Sequence, residues 1–208
     1  ASYADIRIVE QKSQALAVKN GQLEQLTNRS ELGFGVRVIH GGCWGFAGSH
    51  LLSPAEIKKI TKLAVEIAKS SAALSKEKVK LAPVEKVIAD YISPYEKDPF
   101  LVPVEEKLQL LLEADKIMRQ HAAIAVSKGS TWCSQKWQLF ASTEGSRIKQ
   151  TIRETGAGIE VTAVDGSEVE RRSYPNSMGG QSGTRGWELV EELNLPANAA
   201  IIRDQAVA

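Results

Sequence analysis

Side chains capable of catalysis are few and scattered in this chain. It has three histidines, His40, His50 and His121, and two cysteines, Cys43 and Cys133. A hydrolytic zinc site takes several ligands from one rigid element, most recognisably as His-Glu-x-x-His on a helix, and no such spacing occurs here. Surface or hydrogen-bonded histidines and small, partly buried cysteines are therefore the favoured interpretations. We predict no catalytic or metal-ligating residue in this chain.

Two glycine-containing segments share features with nucleotide-binding loops but lack their defining residues. The amides of Gly179–Gly186 could bind an anion, yet no Gly-Lys-Ser/Thr follows, so a connector or lid is favoured over a Walker loop. The pair Gly33-x-Gly35 has no third glycine and lies in an alternating strand, where close backbone approach or a bulge explains it better. No Gly-x-Ser-x-Gly elbow is present either. We therefore expect no cofactor in this chain.

Composition and charge indicate a globular protein. The chain has 208 residues, 43% of them hydrophobic and 25% charged, and a net charge of +1. No basic stripe is present, so nucleic acid is not an expected partner. No apolar run approaches the roughly 18 residues that span a bilayer, so no membrane is expected either. Two distant cysteines are typical of reduced thiols, and we predict a cytoplasmic location.

The first half of the chain alternates with the period of strands and then changes to the period of a helix. Asn20-Gly21 predicts a type I′ hairpin, and Gly41-Gly42 separates a strand at Phe34–Val38 from another at Cys43–Ala47. The sequence Ser53-Pro54-Ala55-Glu56 is typical of a capping box, so a helix should begin there and lie across the sheet.

The second half begins after a proline-rich stretch, residues 83–103, which is predicted to hold a strand at Val87–Ile92 and a connector. A helix is expected over Glu105–Gln120 and another near Trp187. Between them we predict five strands and three turns: strands at 123–127, 132–142, 146–155, 158–164 and 168–173, and turns at Gly129-Ser130, Glu144-Gly145 and Asp165-Gly166.

The two halves share an order of elements. Gly33–Val38 and Gly156–Val161 have the same residue pattern, and a glycine hairpin, a strand and a helix follow each copy. This pattern favours an internal duplication with halves at about 1–102 and 103–208. We predict a single domain, 1–208, of the α+β class: a β-rich module of two similar strand-hairpin-helix halves, with a mostly antiparallel sheet covered by helices.

Six short blocks follow one another along the chain as Tyr3–Glu10, Gly33–Val38, Trp44–Ala47, Leu52–Pro54, Lys97–Pro99 and Phe140–Gly145. In this order and spacing they resemble the N-terminal domain of the TldD/PmbA family, over essentially the whole chain. Members of that family have been called modulators of DNA gyrase, and they are zinc-dependent peptidases or the non-catalytic partners of these peptidases.

The resemblance implies that zinc and catalysis belong to a C-terminal metallopeptidase domain absent from this chain. In the catalytic member a His-Glu-x-x-x-His helix and a later cysteine bind zinc there, with the glutamate as general base. No position of this sequence matches those residues. Because the chain also lacks a starting methionine, we interpret it as an excised N-terminal domain that is inactive alone. The implied partners are unfolded peptide and a second family subunit, in a homo- or heterodimer.

Three side chains beside the Gly-Gly turn are the predicted substrate-binding residues: Arg37, Trp44 and Phe46. The reason is that they lie in the most recognisable block of the resemblance, which implies that unfolded peptide is held by strand addition, where backbone hydrogen bonds provide affinity with little sequence choice. The alternative interpretation is sheet packing for the two aromatic residues and a solvated face for Arg37.

Two functions follow from the resemblance. The first is a substrate-channel and assembly domain of a zinc metallopeptidase that acts on unfolded peptides. The alternative is a non-catalytic interaction module, either a metal-free partner subunit or a modulator of another protein such as DNA gyrase. A stand-alone enzyme with an unrecognised site is the least favoured hypothesis.

Overall fold

The computed structural model describes residues 1–208 as eight strands and four helices. They are β1 (Tyr3–Lys19), β2 (Gln22–His40), β3 (Cys43–Ser49), α1 (Pro54–Leu74), β4 (Ile88–Ile92), α2 (Val104–Met118), β5 (Ile124–Ser142), β6 (Arg147–Asp165), β7 (Glu168–Tyr174), β8 (Gln181–Gly183), α3 (Glu188–Leu193) and α4 (Leu195–Val207). The strand order is β3-β2-β1-β5-β6-β4, with β7 and β8 also pairing with β6. Strand β4 pairs with β6 in the parallel direction. The pairings of β3 with β2, and of β7 and β8 with β6, are antiparallel. The predicted α+β class with a mostly antiparallel sheet covered by helices is confirmed.

The two hairpin turns predicted at Asn20-Gly21 and Gly41-Gly42 occur at those positions. Asn20 and Gly21 have φ angles of 49° and 78°, and Gly41 and Gly42 have 59° and 78°. Positive φ at both central residues is what a type I′ turn requires, and asparagine and glycine reach it at the least steric cost. These turns set where β2 and β3 begin.

Helix α1 begins after Ser53, as predicted, but with half of the expected capping box. The Ser53 hydroxyl accepts a hydrogen bond from the Glu56 amide at 3.2 Å. The Ser53 amide donates to the Leu51 carbonyl instead of to Glu56, whose carboxylate pairs with Lys59. The serine therefore caps the helix without the reciprocal bond.

The predicted turn at Gly129-Ser130 is wrong, because β5 continues through it. A Cβ atom at Gly129 would lie 3.3 Å from Leu111 Cδ2 and 3.5 Å from Ile159 Cγ2. The glycine thus lets α2 and β6 approach the strand closely, which a sequence pattern does not distinguish from a turn. The predicted strands 146–155 and 158–164 are likewise one strand, β6.

The chain divides into two compact units that are each assembled from separate segments. The first unit holds Ala1–Gln11, Ser30–Ile92 and Lys136–Thr151, and the second holds Lys12–Arg29, Ser93–Gln135 and Ile152–Ala208. In the first, Phe34, Val36, Val38 and Ala47 of the sheet pack against Ile60 and Ala64 of α1. In the second, apolar residues of β6 pack with α2 and α4, among them Ile159, Val161, Leu111, Met118, Leu195 and Ile202. The duplication into halves 1–102 and 103–208 stays a prediction.

Candidate functional site

The sheet of the first unit is covered by α1 on one side, and its other side carries the buried Tyr3 and Asp5 as well as the exposed Phe46. Side chains alternate between the two faces, so Val36 of β2 packs against α1 while Arg37 projects to the opposite face. Gly45 of β3 lies against the backbone of α1, which places Trp44 and Phe46 on the side of Arg37. We call this side the open face; its residues are Tyr3, Asp5, Arg7, Gly33, Gly35, Arg37, Trp44 and Phe46.

A buried carboxylate organises one end of the open face. Asp5 is only 3% exposed, and its Oδ2 accepts hydrogen bonds from Arg37 Nε at 3.0 Å and from the Tyr3 hydroxyl at 2.8 Å. Arg37 Nη2 lies 2.8 Å from the same oxygen. The Arg37 guanidinium also lies 5.3 Å from the ring centre of Trp44, and the Tyr3 ring meets Trp44 edge-on at 5.8 Å. Arg37 is therefore an ion-pair partner, not a solvated cation.

This arrangement changes the protonation equilibria of its members. Burial and the hydrogen bond to Asp5 raise the pKa of Tyr3 to about 12, and the hydrogen bond to Asp5 also raises the pKa of Arg37. A phenolate next to the Asp5 carboxylate would be doubly disfavoured, by desolvation and by repulsion. The Tyr3 phenol consequently stays a neutral donor over the whole physiological range.

We predict that this raised pKa makes stability fall in alkaline solution. The folded-state pKa of Tyr3 lies above the unfolded value, so its stabilising contribution is complete below about pH 10 and is lost between about pH 10 and 12. The difference in tyrosinate absorbance between wild type and Tyr3→Phe gives the titration of the Tyr3 phenol alone. Denaturant unfolding across this pH range measures the loss of free energy of unfolding. A Tyr3 signal complete near pH 10 would contradict the burial argument.

Phe46 occupies a separate part of the open face. It is 61% exposed, and its ring lies over Gly35, where a Cβ atom would come within 2.7 Å of Phe46 Cε2. The ring forms one wall of a groove of about 450 Å³, which we call the glycine groove; its lining residues are Arg7, Val9, Gln11, Glu31, Leu32, Gly33, Phe34, Gly35 and Phe46. A large exposed aromatic ring beside a groove is a typical feature of a binding surface.

Strand β3, which carries Trp44 and Phe46, has only one strand neighbour. It stands at the end of the strand order and pairs with β2 over Cys43–Ser49. The backbone groups along its other side have no strand partner in this chain. Such an edge can accept an extended peptide as a further strand.

The other residues considered for chemistry are not brought together. No group of three histidine, cysteine, aspartate or glutamate side chains in residues 1–208 is arranged to hold a metal ion. Cys43 and Cys133 are free and buried, and His121 Nδ1 accepts a hydrogen bond from the Ala123 amide at 3.2 Å. The residues present therefore do not fit a zinc centre.

The glycines of the Gly179–Gly186 segment allow close packing. A Cβ atom at Gly180 would lie 2.6 Å from the Trp132 ring, and one at Gly158 on β6 would collide with the Gly179 carbonyl. The segment thus lies flat against strand β6 and an aromatic ring. None of the four helices is long and apolar enough to cross a bilayer.

Sequence reasoning missed Tyr3, Asp5, Arg7 and Glu31. The alternation of Asp5 and Arg7 with apolar neighbours is typical of a half-buried strand. It gave no indication that Asp5 is buried, because its arginine partner is 32 positions away and the register decides that pairing.

Comparison with known proteins agrees with this architecture. The description "PmbA/TldA metallopeptidase domain 1" matches residues 4–68, and "PmbA/TldA metallopeptidase central domain" matches residues 97–208, more than half of the chain. The chain belongs to the PmbA/TldD family. The resemblance noted from the six sequence blocks is confirmed, and Arg37, Trp44 and Phe46 all lie in the first matched segment of this PmbA/TldD chain.

Relatives with sequence similarity are named metalloproteases. One from Methanocaldococcus jannaschii is 31% identical over 150 residues, which is 72% of this chain and 33% of the relative. One from Methanothermobacter thermautotrophicus is 26% identical over 91% of this chain and 39% of its own length. This PmbA/TldD chain thus spans little more than a third of the curated relatives it matches.

Solved structures share the fold. A candidate modulator of a DNA gyrase from Thermotoga maritima has a TM-score of 0.76 at 16% identity, covering 99% of this chain and 44% of that one. TldE from Thermococcus kodakarensis has a TM-score of 0.66 at 18% identity, covering 99% of this chain and 43% of that one. The PmbA/TldD fold is therefore retained at low sequence identity.

Proposed function

We propose that this chain is the N-terminal substrate-channel and assembly domain of a PmbA/TldD metallopeptidase and that it holds unfolded peptides. The observation that carries the proposal is Phe46, exposed on an open sheet face beside a strand edge that has no strand partner in this chain. The metalloprotease names of the relatives support a role in proteolysis.

In this proposal the backbone and the side chains of the peptide bind to different parts of the first unit. The free edge of β3 would bind the peptide backbone, which gives affinity with little sequence selectivity. Phe46 and Trp44 would cover apolar side chains of the peptide. Asp5 and Arg37 would act as positioning residues, because their ion pair fixes the guanidinium against the Trp44 ring.

Peptide cleavage, in this proposal, takes place outside the 208 residues. Zinc would be bound in a C-terminal domain, and we derive no catalytic step through a metal in this chain. The chain alone should neither hold zinc stoichiometrically nor cleave peptide. The full protein would be cytoplasmic and would pair with a second subunit of the family.

A non-catalytic role is the second candidate, supported by the names of two structural neighbours. One is TldE and the other a candidate modulator of a DNA gyrase, and both cover 99% of this chain. The partner-subunit role would use the same open face for a macromolecule. The rest of the gene distinguishes the two, because a catalytic protein requires the His-Glu-x-x-x-His helix and a later cysteine.

The test is peptide binding by the Phe46→Ala variant. We expect the affinity for a fluorescein-labelled unfolded casein peptide to fall about tenfold, as expected when an aromatic anchor worth about 1.4 kcal/mol is truncated. Fluorescence anisotropy with the 208-residue chain measures it. Leu74→Ala is the control, since Leu74 is 88% exposed at the end of α1. Equal affinity in wild type and Phe46→Ala would refute the proposed surface.

A further inference from the structure

We propose that the glycine groove is a side-chain pocket that selects peptides in which a large apolar residue lies two positions from a carboxylate, so that both side chains face the groove when the peptide is extended. This inference rests on the proposed function and adds the class of substrate to it. It is carried by the shape of the groove floor, the apolar character of its walls and the different partners of two arginines.

Two residues of the groove lining, Gly33 and Gly35, have no side chain. Gly33 and Gly35 are neighbours on the open face of β2, and Phe46 covers only Gly35. A Cβ atom at Gly33 would make just one contact closer than 4 Å, with the Ser49 carbonyl oxygen at 3.4 Å. Space for a ligand group therefore lies directly above Gly33.

The walls suit an apolar group. Phe46 is exposed, and Val9 completes the apolar lining from β1. The volume of about 450 Å³ lies within the range of about 300–1,000 Å³ found for ligand sites. A phenylalanine or leucine side chain of a bound peptide would remove apolar surface of Phe46 and Val9 from water, which is the driving force for occupancy.

Charge supplies the second element of selection. Arg37 is already engaged by the buried Asp5 carboxylate. Arg7, which lines the groove, is exposed, and its guanidinium lies 5.2 Å from the Phe140 ring centre. A stacked guanidinium keeps its in-plane donors available, and these match a carboxylate in a bidentate manner. Glu31, which lines the groove from β2, would repel a carboxylate placed beside it. The carboxylate of the peptide would therefore bind at Arg7.

Matched peptides test the selectivity with the 208-residue chain. The parent peptide contains Phe-Gly-Asp within an unfolded sequence and has an amidated C-terminus, and its variants replace Phe with Ala, or Asp with Asn or Lys. We call the four the Phe-Asp, Ala-Asp, Phe-Asn and Phe-Lys peptides. We expect about tenfold weaker binding for Ala-Asp and about threefold weaker binding for Phe-Asn. A further peptide that ends in Phe with a free carboxylate distinguishes a terminal from a side-chain acid.

Two kinds of variant connect these preferences to the groove. Gly33→Val fills the floor and should reduce binding of the Phe-Asp peptide to that of the Ala-Asp peptide, and Val9→Ala should weaken the same preference if Gly33→Val does not fold. Arg7→Gln should abolish the difference between Asp and Asn, and Lys128→Gln in the second unit is its control.

The outcomes separate this inference from the proposed function. If wild type binds none of the peptides, the proposed function fails. If it binds them but does not distinguish Phe from Ala, or if Gly33→Val and Val9→Ala both keep the wild-type preference, the pocket is overturned while peptide binding stands. Tighter binding of Phe-Lys than of Phe-Asp would overturn the assignment of Arg7.

Discussion

Replacing Arg37 with methionine is expected to lower the free energy of unfolding by about 3 kcal/mol, although the arginine itself is half exposed. The reason is Asp5, which is 3% exposed and would lose two of its three donors. A buried carboxylate without its cation keeps its desolvation cost and has only the Tyr3 hydroxyl as compensation. Urea unfolding at neutral pH measures the loss.

Arg7→Met is the matched control for this experiment. Arg7 is an arginine on the same face that also stacks on an aromatic ring, but it is not bonded to a buried carboxylate. Its replacement should cost less than about 1 kcal/mol. The double variant Asp5→Asn with Arg37→Met should be more stable than the sum of the single losses predicts, because it contains no buried unpaired charge. Additive losses would contradict the coupling.

The ion pair also determines how the proposed peptide site can be tested. Loss of binding in an Arg37 variant would not distinguish a lost peptide contact from a disturbed Trp44, since removing the Arg37 guanidinium has both effects. Phe46 is exposed and its side chain makes no hydrogen bond or ion pair, so its truncation leaves the fold intact. For this reason Phe46→Ala, not a variant of Arg37, is the decisive experiment.

Replacing Gly45 with alanine is the second large effect that we expect, with a loss of about 3 kcal/mol. The added Cβ atom would overlap the Ala64 carbonyl and would lie 2.6 Å from the Ala68 amide. Both are backbone atoms of α1, so no side-chain rotation relieves the overlap and the helix must move off β3. Thermal or urea unfolding of the variant measures the effect.

Gly33→Ala provides the comparison on the neighbouring strand. Its added methyl group would make an ordinary contact of 3.4 Å with the Ser49 carbonyl, so stability should change by less than about 1 kcal/mol. If Gly45→Ala were as stable as Gly33→Ala, the close packing of α1 on β3 would be wrong. A Gly45→Ala protein that does not fold would agree with the expected direction.

Local chemistry made much of the fold predictable. The Asn20-Gly21 and Gly41-Gly42 turns and the Ser53 cap depend on residues within a few positions of one another, and all three are found where expected. The turn predicted at Gly129 from the same kind of local pattern was wrong. A glycine that accommodates a neighbouring element has the same local sequence pattern as a glycine that turns the chain.

The sequence by itself determined the family and the α+β class, because these depend on local patterns and on the order of short blocks. Only the tertiary structure decided that Asp5 is buried, that it occupies Arg37, and that Phe46 borders a groove floored by Gly33 and Gly35. Those contacts join residues on different strands, and the register that aligns them is set by packing across the whole sheet.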